Sequence, residues 1–164
     1  MPIVREDRLT ERLTAKQYRE LLEIGGTQQP LRRQTHEEDL HRVCIDWARL
    51  QEGRYPALRW LVHCPNGGKR SKAEAGRLKS MGVKAGYPDL VINRSSGIWT
   101  GFAVELKSDT GRVSQDQQDW LEMFLDEGYL VVVIRSLDVF IEAALLYLKG
   151  ESLIGSRLAA FSRK

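Results

Sequence analysis

Two neighbouring pieces of the chain, Gly86-Tyr87-Pro88-Asp89-Leu90-Val91-Ile92 and Ile98-Trp99-Thr100-Gly101-Phe102-Ala103-Val104-Glu105-Leu106-Lys107, decide how it reads. The first is a turn feeding a short apolar strand. Arg94-Ser95-Ser96-Gly97 has turn chemistry, so the second piece, Ile98 to Lys107, is expected to return as the other strand of a hairpin. Side chains alternate along a strand. Glu105 and Lys107 therefore share one side, while Phe102, Val104 and Leu106 form the alternate set that faces a core. If the strands pair, Asp89 comes to lie near Glu105 at one end of the sheet. Two carboxylates and an ammonium then converge.

That grouping suits phosphodiester hydrolysis. Two carboxylates can hold a hard divalent cation such as Mg²⁺, which prefers oxygen ligands and keeps several waters. Such an ion polarises a phosphate and lowers the pKa of a water. A nearby lysine can orient or deprotonate the attacking water, or stabilise the charge of the pentacovalent state. A Glu-x-Lys pair alone is more often a solvated strand face. The combination with Gly-x-Pro-Asp on the preceding strand is what favours chemistry.

Working outward, residues 14–24 read as a short helix stopped by Gly25-Gly26, and TQQPLRRQ as a linker. Thr35 opens a stronger helix with capping-box spacing to Glu38, and Leu40, Val43, Cys44 and Trp47 follow at helical intervals. Leu58 to Cys64 reads as a strand ended by the turn Pro65-Asn66-Gly67-Gly68. Ser71 to Met81 reads as a basic helix with Gly82 as its C-terminal cap. After the hairpin, Ser114 caps a helix over 115–127 whose apolar stripe is Trp120, Leu121, Phe124 and Leu125, and Gly128 ends it. Tyr129 to Ile134 is apolar throughout and reads as a strand buried on both faces. Ser136 caps a last helix, 137–149. A helix between the last two strands implies a parallel crossover. The expected fold is α/β: a mixed sheet in α-β-β-β-α-β order, flanked by helices. We divide the chain into an N-terminal helical extension and linker (1–34), a core domain (35–150) and a tail (151–164).

Composition sets bounds on this. The 164 residues suffice for one domain, and 42% hydrophobic with 29% charged residues is ordinary for a globular protein. No apolar run approaches a bilayer span, and the charged N-terminal stretch lacks a signal core. Cys44 and Cys64 form no disulfide framework and read as small hydrophobes in a reducing compartment. We expect a cytoplasmic protein without membrane contact, bacterial or phage-encoded. The net charge of +3 says little, but its distribution says more. Lys69, Arg70, Lys72, Arg77, Lys79 and Lys84 face a single acid, Glu74, between Asn66 and Lys84. The plain reading is a solvated helix face; the functional one is a footprint for a DNA backbone. His36, His41 and His63 have no zinc-like spacing and read as incidental, although His36 or His41 could touch phosphate.

The chain resembles a known family at G-Y-P-D-L (86–90), V-E-L-K (104–107), G-R-V-S-Q-D-Q-Q-D-W (111–120), P-N-G-G-K-R (65–70) and the closing G-Y-L-V-V-V-I. These look like the virus-type replication-repair nuclease domain, VRR-NUC, in order and at fitting spacings over roughly residues 35 to 148. The resemblance implies a restriction-endonuclease-like fold of the PD-(D/E)XK kind and Mg²⁺- or Mn²⁺-dependent DNA cleavage. It implies Asp89 and Glu105 as metal ligands, with the backbone carbonyl of Leu106 joining them, and Lys107 as the catalytic lysine. Gln117 matches the family's glutamine near the active site. The family also carries a glutamate on its first core helix. Glu37, three before Leu40 and seven before Cys44, shares the sheet-facing side and is preferred; Glu38 is the alternative but already holds the capping position.

Stand-alone members of that family resemble Holliday junction resolvases and act as symmetric dimers. A four-way junction offers two scissile phosphates related by a two-fold, which a C₂ homodimer matches. No large accessory domain for reading bases is expected, so recognition of branched DNA through backbone phosphates is expected as well. The alternatives are a flap or fork nuclease with the same chemistry and a non-catalytic DNA-binding module that keeps the fold.

Overall fold

The computed structural model describes residues 37–65 and 71–152. Helix α1 (Glu37–Gln51) is followed by a 3-10 turn (Pro56–Trp60), strand β1 (Val62–His63) and helix α2 (Lys72–Ser80). Then come β2 (Leu90–Ile92), β3 (Phe102–Leu106), α3 (Gln115–Asp126), β4 (Leu130–Ile134) and α4 (Leu137–Lys149). The expected helix over 14–24, the Thr35 cap, the turn over 66–68 and the tail beyond residue 152 lie outside the described residues.

The four strands run in the order β1-β2-β3-β4. β1 and β2 are antiparallel, as are β2 and β3, while β3 and β4 are parallel across the α3 crossover. The sheet is therefore mixed and flanked by helices, as expected. On one face Leu90, Ile92, Phe102, Val104 and Leu106 pack with Leu40 and Cys44 of α1 and Phe140, Ala143 and Tyr147 of α4. On the other, Val91, Ala103 and Val131 pack with Leu121 and Phe124 of α3. The apolar run of β4 serves both faces even though β4 stands at the sheet edge.

Two boundaries differ from the sequence reading. Leu58–Cys64 is not one strand. Pro56 opens the 3-10 turn, whose backbone bonds close locally: the Leu58 amide donates to the Tyr55 carbonyl and the Leu61 amide to that of Leu58, both at 3.0 Å. Only Val62 and His63 remain to pair with β2. The hairpin turn is also displaced. Ser96 and Trp99 exchange both backbone bonds, at 2.9 and 3.0 Å, so Gly97-Ile98 forms the tip. Gly97 adopts φ +56°, and β3 begins only at Phe102. Ser114 completes a reciprocal capping box with Gln117, whereas Ser136 precedes α4 without a side-chain cap bond. Among the described residues no helix is long and apolar enough to cross a membrane.

Candidate active site

The hairpin register fixes the first relationship. Leu90 stands opposite Val104 and Val91 opposite Ala103, so one further step sets Asp89 across from Glu105 on the α3 face. Asp89 is held from three sides. Its Oδ2 accepts the Leu106 amide at 2.8 Å, and its carbonyl accepts the Cys64 amide at 3.0 Å and His63 Nδ1 at 3.1 Å. Pro88, buried just before it, fixes the backbone entering the strand.

Glu105 is fully buried, and Lys107 is only 6% exposed. This excludes a solvated strand face. Lys107 Nζ donates to Glu105 Oε1 at 2.6 Å. Gln117 Nε2 donates to the same oxygen, while Gln117 Oε1 accepts the Ser114 amide at 2.9 Å. One glutamine thus caps α3 and reaches the buried carboxylate. Burial pushes the Glu105 carboxyl up to about 7, and Asp89 and Glu37 add like-charge repulsion; Lys107 works in the opposite direction. Glu37, at the start of α1, is therefore near enough to act on Glu105. Glu37 and Glu38 are both exposed.

Glu105 Oε2 is buried and has no hydrogen-bond partner. A buried polar atom without a partner is costly and calls for one. The surrounding donors, Asp89 and Glu105, are carboxylates from opposed strands, the hard oxygen ligands that a divalent cation prefers. Among the described residues no group of three or more His, Cys, Asp or Glu side chains is placed to hold a metal ion. An ion of the Mg²⁺ type, which retains water on its open positions, fits such a two-carboxylate site.

A family model for the VRR-NUC domain matches residues 23–138. The chain belongs to the VRR-NUC family. A solved structure described as a VRR_NUC domain protein is 31% identical, with a TM-score of 0.61, over 73% of this chain and 98% of the other. A comparison with curated proteins finds no match. Membership makes the chain a nuclease domain of the PD-(D/E)XK type.

In this VRR-NUC domain the histidines beside the carboxylate pair are closer than their spacing suggested. The His41 and His63 ring centroids lie 4.2 Å apart, His63 bonds to the Asp89 carbonyl, and His41 Nε2 is buried without a partner. Burial and the neighbouring His63 push His41 down from its ordinary value, against the pull of Asp89. The signal in the sequence was His41's position four residues after Glu37, one helical turn along the same face. His36, Lys69 and Arg70 lie outside the described residues. Lys72, Arg77, Lys79 and Lys84 are all exposed, and α2 buries no residue. They are not drawn into the carboxylate cluster.

Proposed function

We propose that this chain is a divalent-metal-dependent, structure-specific DNA endonuclease, and that it cuts four-way junctions as a homodimer. The observation that supports this most is the buried Glu105 carboxylate, with Lys107 on one oxygen and no partner on the other. In this reading Asp89 and Glu105 hold the ion, with the Leu106 carbonyl and Glu37 (Glu38 as the alternative) completing its surroundings. Mg²⁺ or Mn²⁺ bound there supplies Lewis acidity toward the scissile phosphate.

The remaining work falls to the chain itself. The Lys107 ammonium, at the edge of the same carboxylate, can orient the attacking water and offset the charge gathering on the phosphoryl oxygens. Gln117 keeps the Glu105 carboxylate oriented through one oxygen. Lys72, Arg77, Lys79 and Lys84, with Lys69 and Arg70, provide cations for the DNA backbone, a sequence-independent attraction suited to reading branch shape. A two-fold dimer would set two such sites against the two equivalent strands of a junction.

The test is cleavage of labelled four-way junction, flap, fork and linear duplex with Mg²⁺ and with Mn²⁺, alongside the Asp89→Ala and Lys107→Ala variants. Preferential, symmetric junction cleavage that both substitutions abolish, with junction binding retained, is the expected result. Preference for flap or fork by a monomer would remove the junction assignment. Equal cleavage by the variants and the parent protein would remove the mechanism.

A further inference from the structure

Asp89 reaches its position through a turn that rests on α3, the helix that also delivers Gln117 to Glu105. Gly86, in that turn, adopts φ +83°, and a Cβ there would lie 2.4 Å from the Asp116 carbonyl carbon and 2.7 Å from the Gln117 amide nitrogen. The turn backbone and the first turn of α3 are thus in direct contact. One helical turn further on, the Trp120 indole Nε1 donates to the Ala85 carbonyl at 2.9 Å. The Tyr87 ring meets Trp120 edge-on at 4.9 Å and Phe124 at 5.5 Å. The segment Ala85–Asp89 is therefore fastened at one end to Trp120 and at the other to β1 and β3 through Asp89.

We propose that Trp120 is a positioning residue: its bond to Ala85 and its contact with Tyr87 set where the Asp89 carboxylate stands relative to Glu105. This rests on the metal-nuclease reading above. It adds that α3 acts as a common ruler for both halves of the site, carrying Gln117 toward Glu105 and Trp120 toward the Asp89 turn. Paired ligands tolerate little displacement, so a loosened turn costs ion affinity before it costs the fold. A tryptophan serving the core alone would lower stability without selectively changing ion binding.

Mn²⁺ binding by calorimetry, without DNA, to the parent protein, Trp120→Phe, Tyr87→Leu and Leu125→Ala distinguishes the two. Thermal midpoints in chelator are measured in parallel. Trp120→Phe keeps a ring but loses the indole donor; Tyr87→Leu removes the aromatic packing from the turn's side. Leu125 belongs to the same apolar cluster without touching the turn's hydrogen bond. The expected result is roughly three- to tenfold weaker Mn²⁺ binding for Trp120→Phe and Tyr87→Leu, the equivalent of one hydrogen bond. Leu125→Ala should lose thermal stability but keep its Mn²⁺ affinity. Parent-like Mn²⁺ affinity in both turn variants, or equal loss in Leu125→Ala, overturns the positioning role while leaving the nuclease reading intact. No Mn²⁺ binding by the parent protein overturns both.

Discussion

Lys107 and Glu105 form a buried ion pair, Nζ to Oε1 at 2.6 Å, in which the second carboxylate oxygen faces no donor. A pair built for stability alone would satisfy both oxygens, because desolvating a carboxylate is expensive unless its lone pairs are met. Glu105→Gln keeps an oxygen for Lys107 and Gln117 but removes the charge an ion needs. In the parent protein, Mn²⁺ at a hundredfold excess over its dissociation constant should add about 2.7 kcal/mol of stability. Thermal unfolding with and without Mn²⁺ should show that increment in the parent and none in Glu105→Gln. An equal increment in the variant would mean the ion binds elsewhere.

The same carboxyl sets a pH dependence. Its folded value, about 7, lies above the ordinary 4.5. Its stabilising contribution in the metal-free protein is therefore fully present below about 4.5 and is lost as pH rises through 7. Ion binding runs the other way, since the ion displaces the proton. Mn²⁺ affinity should fall about tenfold per pH unit below 7 and level off above it. Calorimetry in two buffers of different ionisation enthalpy should detect about one proton released at pH 6 and almost none at pH 8. Affinity that stays flat between pH 5.5 and 7 would refute the assignment of Glu105 as a ligand.

Much of this site is legible in the amino-acid sequence itself. Asp89 opening one strand, and Glu105 and Lys107 at alternate positions on the next, follow from turn chemistry and strand periodicity. What the sequence conceals is burial. Charged residues ordinarily mean solvent, and nothing local to Ala103-Val104-Glu105 says that α3 covers that face; the long-range packing of Leu121 and Phe124 decides it. The His41–His63 pairing is equally non-local, joining α1 to β1. The strand expected over Leu58–Cys64 failed for a local reason. Pro56 favours a tight helical turn, and the apolar Leu58 and Leu61 fit its period of three as well as they fit a strand.

The opposite end of the sheet offers a contrast. Gly97, at the hairpin tip, adopts φ +56°, and a Cβ on it would lie 2.4 Å from the Gly150 Cα at the end of α4. Trp99 Nε1 donates to the Glu151 carbonyl at 2.8 Å beside this contact. Gly97→Ala should cost about 2 kcal/mol or more, from the left-handed backbone and the forced separation of the two glycines. Cleavage per folded molecule should be unchanged, because Asp89 and Glu105 occupy the other end of the same hairpin. Chemical denaturation paired with specific activity checks both halves; a loss of activity exceeding the loss of folded protein would show that the two ends are coupled.

The basic helix α2 separates binding from chemistry. Lys72 and Lys79 are seven apart, so they share one face of a helix that buries nothing. Lys72→Gln/Lys79→Gln preserves helix propensity and removes two charges. If both lysines meet phosphates, the slope of log affinity for a four-way junction against log salt should become shallower by about 0.9 for each phosphate no longer neutralised. Mn²⁺ binding and thermal stability should not change, since neither lysine touches the carboxylates or the core. Binding titrations from low to moderate salt provide the measurement. An unaltered slope would make α2 a solvated face, and the DNA path would then have to run over other cations of the domain.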